Sequence, residues 1–213
     1  VRSRRQRQMC IRDRSFIKKL HKNMVSEELL KTLQNRRSIY PIEYTDEKIS
    51  EEELKLLLEA ANWAPTHKKT EPWRFKIVQG EGKERLKEFM KRVYVQSTSP
   101  EKLSERKLND MAEKCDKSQA IILISFIDTG KVPEWEELAS TAMAVQNMWL
   151  MCGTLNIGSY WSSPANIIAN MDEFTPMQEG EKCVGIFYLG KATKRERLAQ
   201  RKPIEDKVVF INH

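Results

Sequence analysis

Long apolar runs are missing from this sequence, although 40% of its 213 residues are hydrophobic. The richest apolar stretch, residues 138–155, is interrupted by polar residues that include Ser140, Thr141, Gln146 and Asn147. No run approaches the ~20 residues that a membrane helix needs, so we expect no membrane-spanning segment. With 31% charged residues, the composition is typical of a folded domain, neither disordered nor fibrous.

Cysteine and histidine are scarce and scattered. The four cysteines, Cys10, Cys115, Cys152 and Cys183, include no CxxC pair, and three of them lie outside the basic N-terminal segment. An odd, dispersed set argues against a disulfide framework and favours a reducing, cytoplasmic compartment. The sequence has only three histidines, at positions 21, 67 and 213, so we expect no metal site and no hydrolase triad.

The net charge of +7 is concentrated in the first 23 residues. They hold nine basic side chains and one acidic side chain, which leaves the rest of the chain close to neutral. A neutral domain lacks the electrostatic footprint for DNA, and we expect no nucleic-acid partner. We interpret residues 1–23 as a leader and residues 24–213 as one domain. The leader resembles translated adapter sequence; a genuine basic arm and a transit peptide are the alternatives.

Hydrophobic periodicity predicts helices and strands that follow one another along the chain. Ser50, with Glu53 three residues later, forms a capping box at the start of a helix. Pro133 is predicted to be the first residue of a long helix that ends near Thr154. Further helices are predicted at about 26–35, 83–93 and 100–114, and strands at about 73–79, 120–127, 156–161 and 183–189.

This order of elements favours a single α+β domain. Residues 120–127 are almost wholly apolar, as in a strand that is covered on both faces. The second half of the long helix is apolar nearly all round, which is typical of a helix inside a core or an interface. An apolar tail, residues 208–211, follows a charged connector. It either returns to its own sheet or crosses to another subunit.

The common nucleotide-binding and hydrolase motifs are absent from the sequence. Gly80 and Gly82 lack the third glycine of a dinucleotide fingerprint, because Arg85 stands in its place. The sequence contains no Walker loop, no GxSxG and no HExxH. It therefore predicts neither a Rossmann dinucleotide site nor a nucleophilic hydrolase.

Two segments could hold an anionic or planar ligand. Arg36, Arg37 and Ser38 end the first predicted helix, where two guanidiniums and a hydroxyl can bind a phosphate dianion. A solvated helix C-terminus explains the same cations equally well. Residues 64–75, APTHKKTEPWRF, form a polar loop framed by two prolines. Such a loop presents hydrogen bonds to a planar heterocycle, or it serves only as a rigid connection into the core.

Together, the order and spacing of these motifs resemble the FMN-dependent nitroreductase family. RRS after the first helix, and the loop that begins at position 64, resemble short bacterial members with an AP-x-H-x-x-x-x-PW loop. KVPEWE before the long helix, IGSYWSSP after it and CVGIFYLG near the C-terminus extend the resemblance over residues 29–211. Each motif is weak alone, but their combined order is specific.

The resemblance implies an α+β fold with a mixed, mainly antiparallel sheet flanked by helices, in an intertwined homodimer that exchanges C-terminal tails. It implies two FMN sites at the subunit interface. It also implies that hydride from NADH or NADPH passes through the flavin to nitroaromatics, quinones or related small-molecule acceptors, by a ping-pong mechanism. The flavin carries the redox chemistry, so no catalytic side chain is assigned.

Individual site residues are implied only by this resemblance. Arg36, Arg37 and Ser38 would hold the FMN phosphate and ribityl chain, and Arg201 would reach the phosphate from the C-terminal region. The implied ring contacts are Trp63 and His67 from the partner chain, Lys69, and the segment of Trp161, Ser162 and Ser163. Lys69 and Glu71 stand where the broader family usually has Asn and Gln. Lys69 therefore either faces the flavin or pairs with Glu71 in solvent.

Two alternative functions are consistent with the same sequence. One is a flavoenzyme of this fold with a specific metabolite as substrate, such as a reductive dehalogenase or an enoate-type reductase. The other is a non-enzymatic protein that stores flavin or uses the basic arm to bind polyanions.

Overall fold

The computed structural model describes residues 24–193 and 199–212, so the predicted leader lies outside the described residues. The chain divides into two units. In the described residues, one unit consists of residues 24–36 and 199–212, and the other spans residues 37–193. We describe each by itself. No helix of the described residues is both long and apolar enough to cross a membrane.

The described part of the smaller unit consists of one α-helix and the C-terminal segment. Helix α1 spans Met24–Asn35, close to the prediction, and a short 3₁₀ turn spans Ile204–Lys207. The tail that follows is exposed, with Val209 and Ile211 each 86% accessible. It belongs to none of the four strands of the described sheet. Both interpretations of the tail, a return to its own sheet and a crossing to another subunit, stay predictions.

The larger unit alternates helices and strands. Its helices are α2 (Glu51–Asn62), α3 (Glu81–Gln96), α4 (Glu105–Lys117), α5 (Glu134–Thr154) and α6 (Ala165–Ala169). Its strands are β1 (Trp73–Val78), β2 (Ala120–Ile127), β3 (Ile157–Ser162) and β4 (Glu181–Lys191).

The four strands form one sheet in the order β1-β2-β4-β3. All three pairings of these strands are antiparallel, which confirms the predicted α+β class with a mainly antiparallel sheet. Strands β1 and β3 lie at the two edges, so the long connection through α5 carries the chain from β2 across to the far edge. Strand β4 then returns between β2 and β3.

Strand β2 is buried on both faces, as its apolar sequence predicts. Ile121 and Leu123 pack on one face with residues of α3, and Ile122 and Ile124 pack on the other with residues of α2 and α5. This two-residue alternation follows from the pleat of a strand. The sheet therefore lies between two helical layers, and α5 belongs to the layer on the α2 side.

Helix α5 is buried in this chain along one side, as its predicted core position requires, and an interface on its other side stays a prediction. Ala144, Val145, Met148 and Cys152 are buried against the sheet. Its other side exposes large apolar side chains, of which Trp135 is the most exposed at 68%; the others are Leu138 and Met143. In this chain, that apolar side faces solvent.

Several predicted boundaries needed correction. The capping box is confirmed, with Glu53 N–H donating to Ser50 Oγ at 3.2 Å and Ser50 N–H donating to Glu53 Oε2 at 3.0 Å. Pro133, predicted as the first helical residue, is instead the N-cap of α5. Helix α4 begins at Glu105 rather than near residue 100, because Pro100 begins a separate 3₁₀ turn. Strand β4 is longer than predicted, because hydrogen bonds pair its polar ends with neighbouring strands.

Candidate functional site

The segment that follows the arginine pair runs along the β3 edge of the sheet. The Trp149 indole N–H donates to the Arg37 carbonyl at 3.1 Å, and Ile39 N–H donates to the Ser159 carbonyl at 3.0 Å. An edge strand has free backbone groups that can accept such a segment. Arg37 and Ser38 are therefore brought close to β3, which carries Trp161 and Ser162. Arg36, the remaining residue of the predicted phosphate-binding set, directly follows α1. Its backbone N–H donates to the Thr32 carbonyl in the last turn of that helix.

Trp161 and Ser163 line an open groove of about 520 Å³ on the α5 side of the sheet. The other lining residues are Leu138, Trp149 and Val184. The Trp161 indole N–H points to the Val184 carbonyl at 3.4 Å. The ring lies directly over Gly185, where a Cβ atom would stand 1.8 Å from Trp161 Nε1. Gly185 therefore provides the space in which Trp161 lies.

Ser162 faces the opposite side of the sheet from Trp161, as the strand alternation requires. It lines a second cavity of about 400 Å³ between β3 and the helices α3, α4 and α6. Apolar and aromatic side chains form much of its wall, including Met90, Tyr94 and Tyr188. Cavities of this size and character are typical of small-molecule sites. Of the three predicted residues 161–163, Trp161 and Ser163 thus line the groove on the α5 side, and Ser162 lines the cavity on the opposite face.

Two lysines on α4 line this cavity and were missed by the sequence analysis. Lys107 Nζ lies 5.9 Å from the Tyr94 ring centroid, and Lys114 Nζ lies 5.6 Å from that of Tyr160. Asp110, on the same helix face, also lines the cavity. A charged helix normally has a solvated face, and only the three- and four-residue spacing of these positions could have indicated a shared face.

The loop before β1 carries the remaining predicted ring contacts. Trp63 is the C-cap of α2 and is 79% exposed, with its indole N–H donating to Glu59 Oε1 at 2.8 Å. His67 Nδ1 lies 2.6 Å from Glu136 Oε2 at the start of α5. Lys69 is exposed, and none of the ion pairs of the described residues joins it to Glu71. Lys69 and Glu71 therefore form no ion pair in this chain, and a contact of Lys69 with the flavin stays a prediction.

Three non-glycine residues of this loop have a left-handed backbone. The φ angles are 50° at Lys68, 54° at Lys69 and 44° at Glu71. Side chains with a Cβ atom disfavour this region, and such residues cluster where surrounding structure holds them for function. Hydrogen bonds supply that support here: Thr70 Oγ1 donates to Glu137 Oε2 at 2.7 Å, and Lys68 Nζ donates to the Lys131 carbonyl at 2.9 Å.

Each glutamate at the start of α5 has its own partner. Lys182 Nζ lies 2.9 Å from Glu134 Oε2 and 3.5 Å from Asp128 Oδ2, and the hydrogen bond with Glu134 raises the pKa of Lys182. Glu136 contacts His67, and the fully buried Glu137 accepts hydrogen bonds from Thr70 and Thr129. Glu136 and Glu137 therefore bind the loop before β1, whereas Glu134 forms its ion pair with Lys182 of β4.

The predicted site residues form two separate groups within the larger unit. The loop with Trp63, His67 and Lys69 leads into β1, whereas Arg37, Ser38 and the 161–163 segment lie at β3. These strands are the two edges of the sheet, three strand spacings or roughly 14 Å apart. We call these two groups of predicted residues the β3 half-site and the loop half-site.

Arg201 lies in the smaller unit. Its guanidinium donates to the Gln200 carbonyl at 2.8 Å, and its contact with a phosphate stays a prediction. Among the described residues, no group of three or more His, Cys, Asp or Glu side chains is placed to hold a metal ion. Burial raises the pKa of the Cys115 and Cys152 thiols to about 12, so both are protonated at neutral pH.

Comparisons with known proteins agree on one family. The family model described as "Nitroreductase family" matches residues 33–191. The Escherichia coli (strain K12) protein YdjA, provisionally named an NAD(P)H nitroreductase, is 29% identical over 168 residues, covering 76% of this chain and 87% of YdjA.

Solved structures share the same fold. A crystal structure of a nitroreductase-like family protein from Bacillus cereus superposes with a TM-score of 0.75 at 26% identity, covering 86% of this chain and 96% of that one. A Bacteroides fragilis nitroreductase crystallised with bound FMN gives a TM-score of 0.63 at 21% identity, covering 87% and 99% of the two chains. At that identity the second likeness supports the fold alone.

Proposed function

We propose, from the premise that this chain belongs to the nitroreductase family, that it is an FMN-dependent oxidoreductase. It takes hydride from NADH or NADPH and reduces nitroaromatics, quinones or related acceptors. The observation that carries this proposal is the β3 half-site, where Arg37 and Ser38 lie along the strand that ends at a ligand-sized cavity. When bound there, FMN supplies the two-electron chemistry, and the protein supplies binding, orientation and electrostatics.

The phosphate end of FMN is assigned to the arginine pair. Arg36, Arg37 and Ser38 are consecutive, and the hydrogen bonds from Trp149 and to Ser159 hold the segment at the sheet edge. Guanidinium and hydroxyl donors bind phosphate oxygens by charge-assisted hydrogen bonds. Arg201 of the C-terminal segment adds a further cation in this proposal.

The ring end is assigned to the cavity that Ser162 lines, on the α3 and α4 side of the 161–163 segment. Ser162 supplies a hydroxyl at the cavity wall, and Met90 and Tyr188 supply an apolar floor that excludes water. Lys107 and Lys114 place positive charge beside the cavity, which would stabilise negative charge added at the edge of the ring. These lysines join Lys69 as candidates for tuning the cofactor.

The loop half-site is assigned to a flavin bound by a second copy of the chain. Trp63, His67 and Lys69 precede β1, at the opposite edge of the sheet from β3, and in this proposal they contact the cofactor of a partner subunit. A symmetric homodimer would bury the exposed apolar side of α5, and obligate interfaces have this apolar character. The apolar tail, residues 208–211, would be covered by crossing to that partner.

The proposed reaction alternates two substrates in one pocket. The nicotinamide cofactor leaves before the acceptor enters, which gives ping-pong kinetics with parallel double-reciprocal lines. We assign no side chain as nucleophile or general base.

The experiment is a pair of half-reactions on purified protein reconstituted with FMN. We expect a yellow protein whose visible absorbance is bleached by NADH or NADPH without oxygen and restored by a nitroaromatic or a quinone. Colourless protein that takes up no added FMN would contradict the proposal. Bound FMN that neither nicotinamide cofactor reduces would favour a flavin-storing protein, and reoxidation by one metabolite alone would favour a specific reductase.

A further inference from the structure

Two consecutive glutamates at the start of α5 hold the loop of residues 66–71 from both ends. Glu136 Oε2 lies 2.6 Å from His67 Nδ1, and Glu137 Oε2 accepts a hydrogen bond from Thr70 at 2.7 Å. Each contact joins residues that are almost 70 positions apart in the sequence. We call this pair of carboxylates the clamp.

The direction of the hydrogen bonds can be worked out from the number of protons. Thr70 donates its single hydroxyl proton to Glu137, so at the 3.0 Å contact between Thr66 and Thr70 the Thr66 hydroxyl is the donor. Thr66 Oγ1 in turn accepts the Glu71 N–H at 3.1 Å. A directed chain therefore runs from Glu71 through Thr66 and Thr70 to Glu137, and it closes the loop on itself.

Glu137 ends this chain as a fully buried carboxylate. Its other oxygen accepts from the Thr129 hydroxyl at 2.6 Å, so each of its two oxygens accepts a hydrogen bond from a neutral hydroxyl. Burying a charge with neutral donors is unfavourable, although the positive end of the α5 dipole offsets part of the cost. Such a group suits a position where a defined loop conformation matters more than stability.

The loop needs this external support because its own backbone is unfavourable. Lys68, Lys69 and Glu71 all have φ angles between 44° and 54°, although none of them is glycine or asparagine. Without the hydrogen bond from Thr70 to Glu137, we expect each of them to relax toward the common region of negative φ. The exposed side chains of His67 and Lys69 would then change position.

We propose that Glu137 is a positioning residue for the loop half-site. Through Thr70 it fixes the strained loop, and with Glu136 it determines where His67 and Lys69 meet the cofactor and acceptor bound by a second chain. The last step rests on the proposed function; the clamp itself does not.

The first test measures loop order without reference to flavin. Trypsin cleaves after Lys68 and Lys69, which are exposed, and its rate at these bonds reports the population of open loop. Thr70→Val keeps the shape and removes the hydroxyl, and we expect cleavage to become about tenfold faster. Thr45→Val is the matched control, since it removes one hydroxyl bond, to the Lys191 carbonyl, away from this loop. Equal cleavage rates in the two variants would overturn the clamp.

Two further variants make the test independent of one substitution. Glu137→Gln keeps the volume of the side chain but loses its charge, and we expect it to accelerate cleavage as Thr70→Val does. Thr70→Ser keeps the hydroxyl, and we expect it to restore the slow cleavage of the original protein. Fast cleavage in Thr70→Ser would mean that packing of the methyl group, rather than the hydrogen bond, holds the loop.

The second test asks whether the clamp serves the site. In the FMN-reconstituted protein we expect Thr70→Val to raise the Kd for FMN or the KM for the acceptor about tenfold, while its melting temperature stays near that of Thr45→Val. Faster cleavage with unchanged Kd and KM would overturn the positioning role, because the loop would then lie outside the site. Failure of the original protein to take up FMN would refute the proposed function. The ratio of the trypsin cleavage rates of Thr70→Val and Thr45→Val would still test the clamp, because that measurement does not depend on flavin.

Discussion

The clearest single perturbation of the β3 half-site is a methyl group at Gly185. The residue lies in β4 opposite Ile124, beside a bulge that leaves Val184 unpaired. A Cβ atom there would stand 1.8 Å from Trp161 Nε1 and 2.6 Å from its Cδ1. Ordinary contact begins at 3.4 Å, so the indole of Trp161 must retreat by at least about 1.6 Å.

The cost of Gly185→Ala can be estimated from this clash. Gly185 does not have a positive φ, so the backbone tolerates alanine and the penalty is steric. Overpacking of this kind costs about 1–3 kcal/mol, which lowers the melting temperature by about 2–4 °C for each kcal/mol in a chain of this size. Displacement of Trp161 would also shift the adjacent Ser162, which lines the cavity assigned to the flavin ring, and we expect the Kd for FMN to rise about tenfold.

The assay compares Gly185→Ala with Gly153→Ala by thermal unfolding and by flavin titration. Gly153 lies in α5 with no atom within 4 Å of an added Cβ, so alanine there should stabilise by about 0.5–1 kcal/mol. Trp161→Phe removes the clashing atoms, and Gly185→Ala should cost less in that background. Equal melting temperatures of the two alanine variants would refute the packing of Trp161 over Gly185. Equal Kd values for FMN would refute the place of Trp161 in the flavin site.

Three further predictions concern the arginine pair, an acid-sensitive ion pair and the buried thiols. Arg36→Ala should raise the Kd for FMN by roughly 10- to 150-fold, since a charge-assisted contact contributes about 1.5–3 kcal/mol; an unchanged fluorescence titration would remove Arg36 from the site. The hydrogen bond from Lys191 holds the pKa of Glu53 below its usual 4.5, so this stabilisation is present above pH 4.5 and is lost as the pH falls through the lower folded value. In Glu53→Gln, the free energy of unfolding should therefore decrease less as the pH is lowered than it does in the original protein. Denaturant titrations that show the same decrease in both proteins would contradict this. Burial raises the pKa of Cys152 to about 12, so iodoacetamide at pH 8 should leave it unmodified in the folded protein; mass spectrometry showing prompt labelling would be incompatible with its burial.

Local patterns in the sequence predicted most of the individual elements. The alternation that buries β2 on both faces is visible in AIILISFI, and the Ser50–Glu53 capping box is a local signal that the structure confirms. The strand order was not predictable in the same way, because antiparallel pairing of β2 with β4 joins residues that are about 60 positions apart. Boundaries failed where proline or polar residues made the local signal ambiguous, as at Pro133 and at the ends of β4.

The site was predictable only as a set of residues, not as an arrangement. The resemblance picked out Trp63, His67 and the 161–163 segment, but nothing local placed the first two at one sheet edge and the last at the other. The left-handed backbone of Lys68 and Lys69 has no sequence signal, because it is held by Glu137 from a distant helix. Lys107 was missed because its role depends on a cavity between non-adjacent elements.

The central claim is that no single chain completes the flavin site. Two variants test it: Arg36→Ala with Arg37→Ala, which removes the phosphate donors, and Trp63→Ala with His67→Ala, which removes the loop half-site. Each alone should be close to inactive. Unfolded together and refolded, they should recover about a quarter of the original NAD(P)H-dependent reductase activity, since half of the randomly formed dimers are mixed and each of these keeps one intact site of two. A mixture no more active than its parents, or an active variant of either kind, would contradict a site shared between two chains.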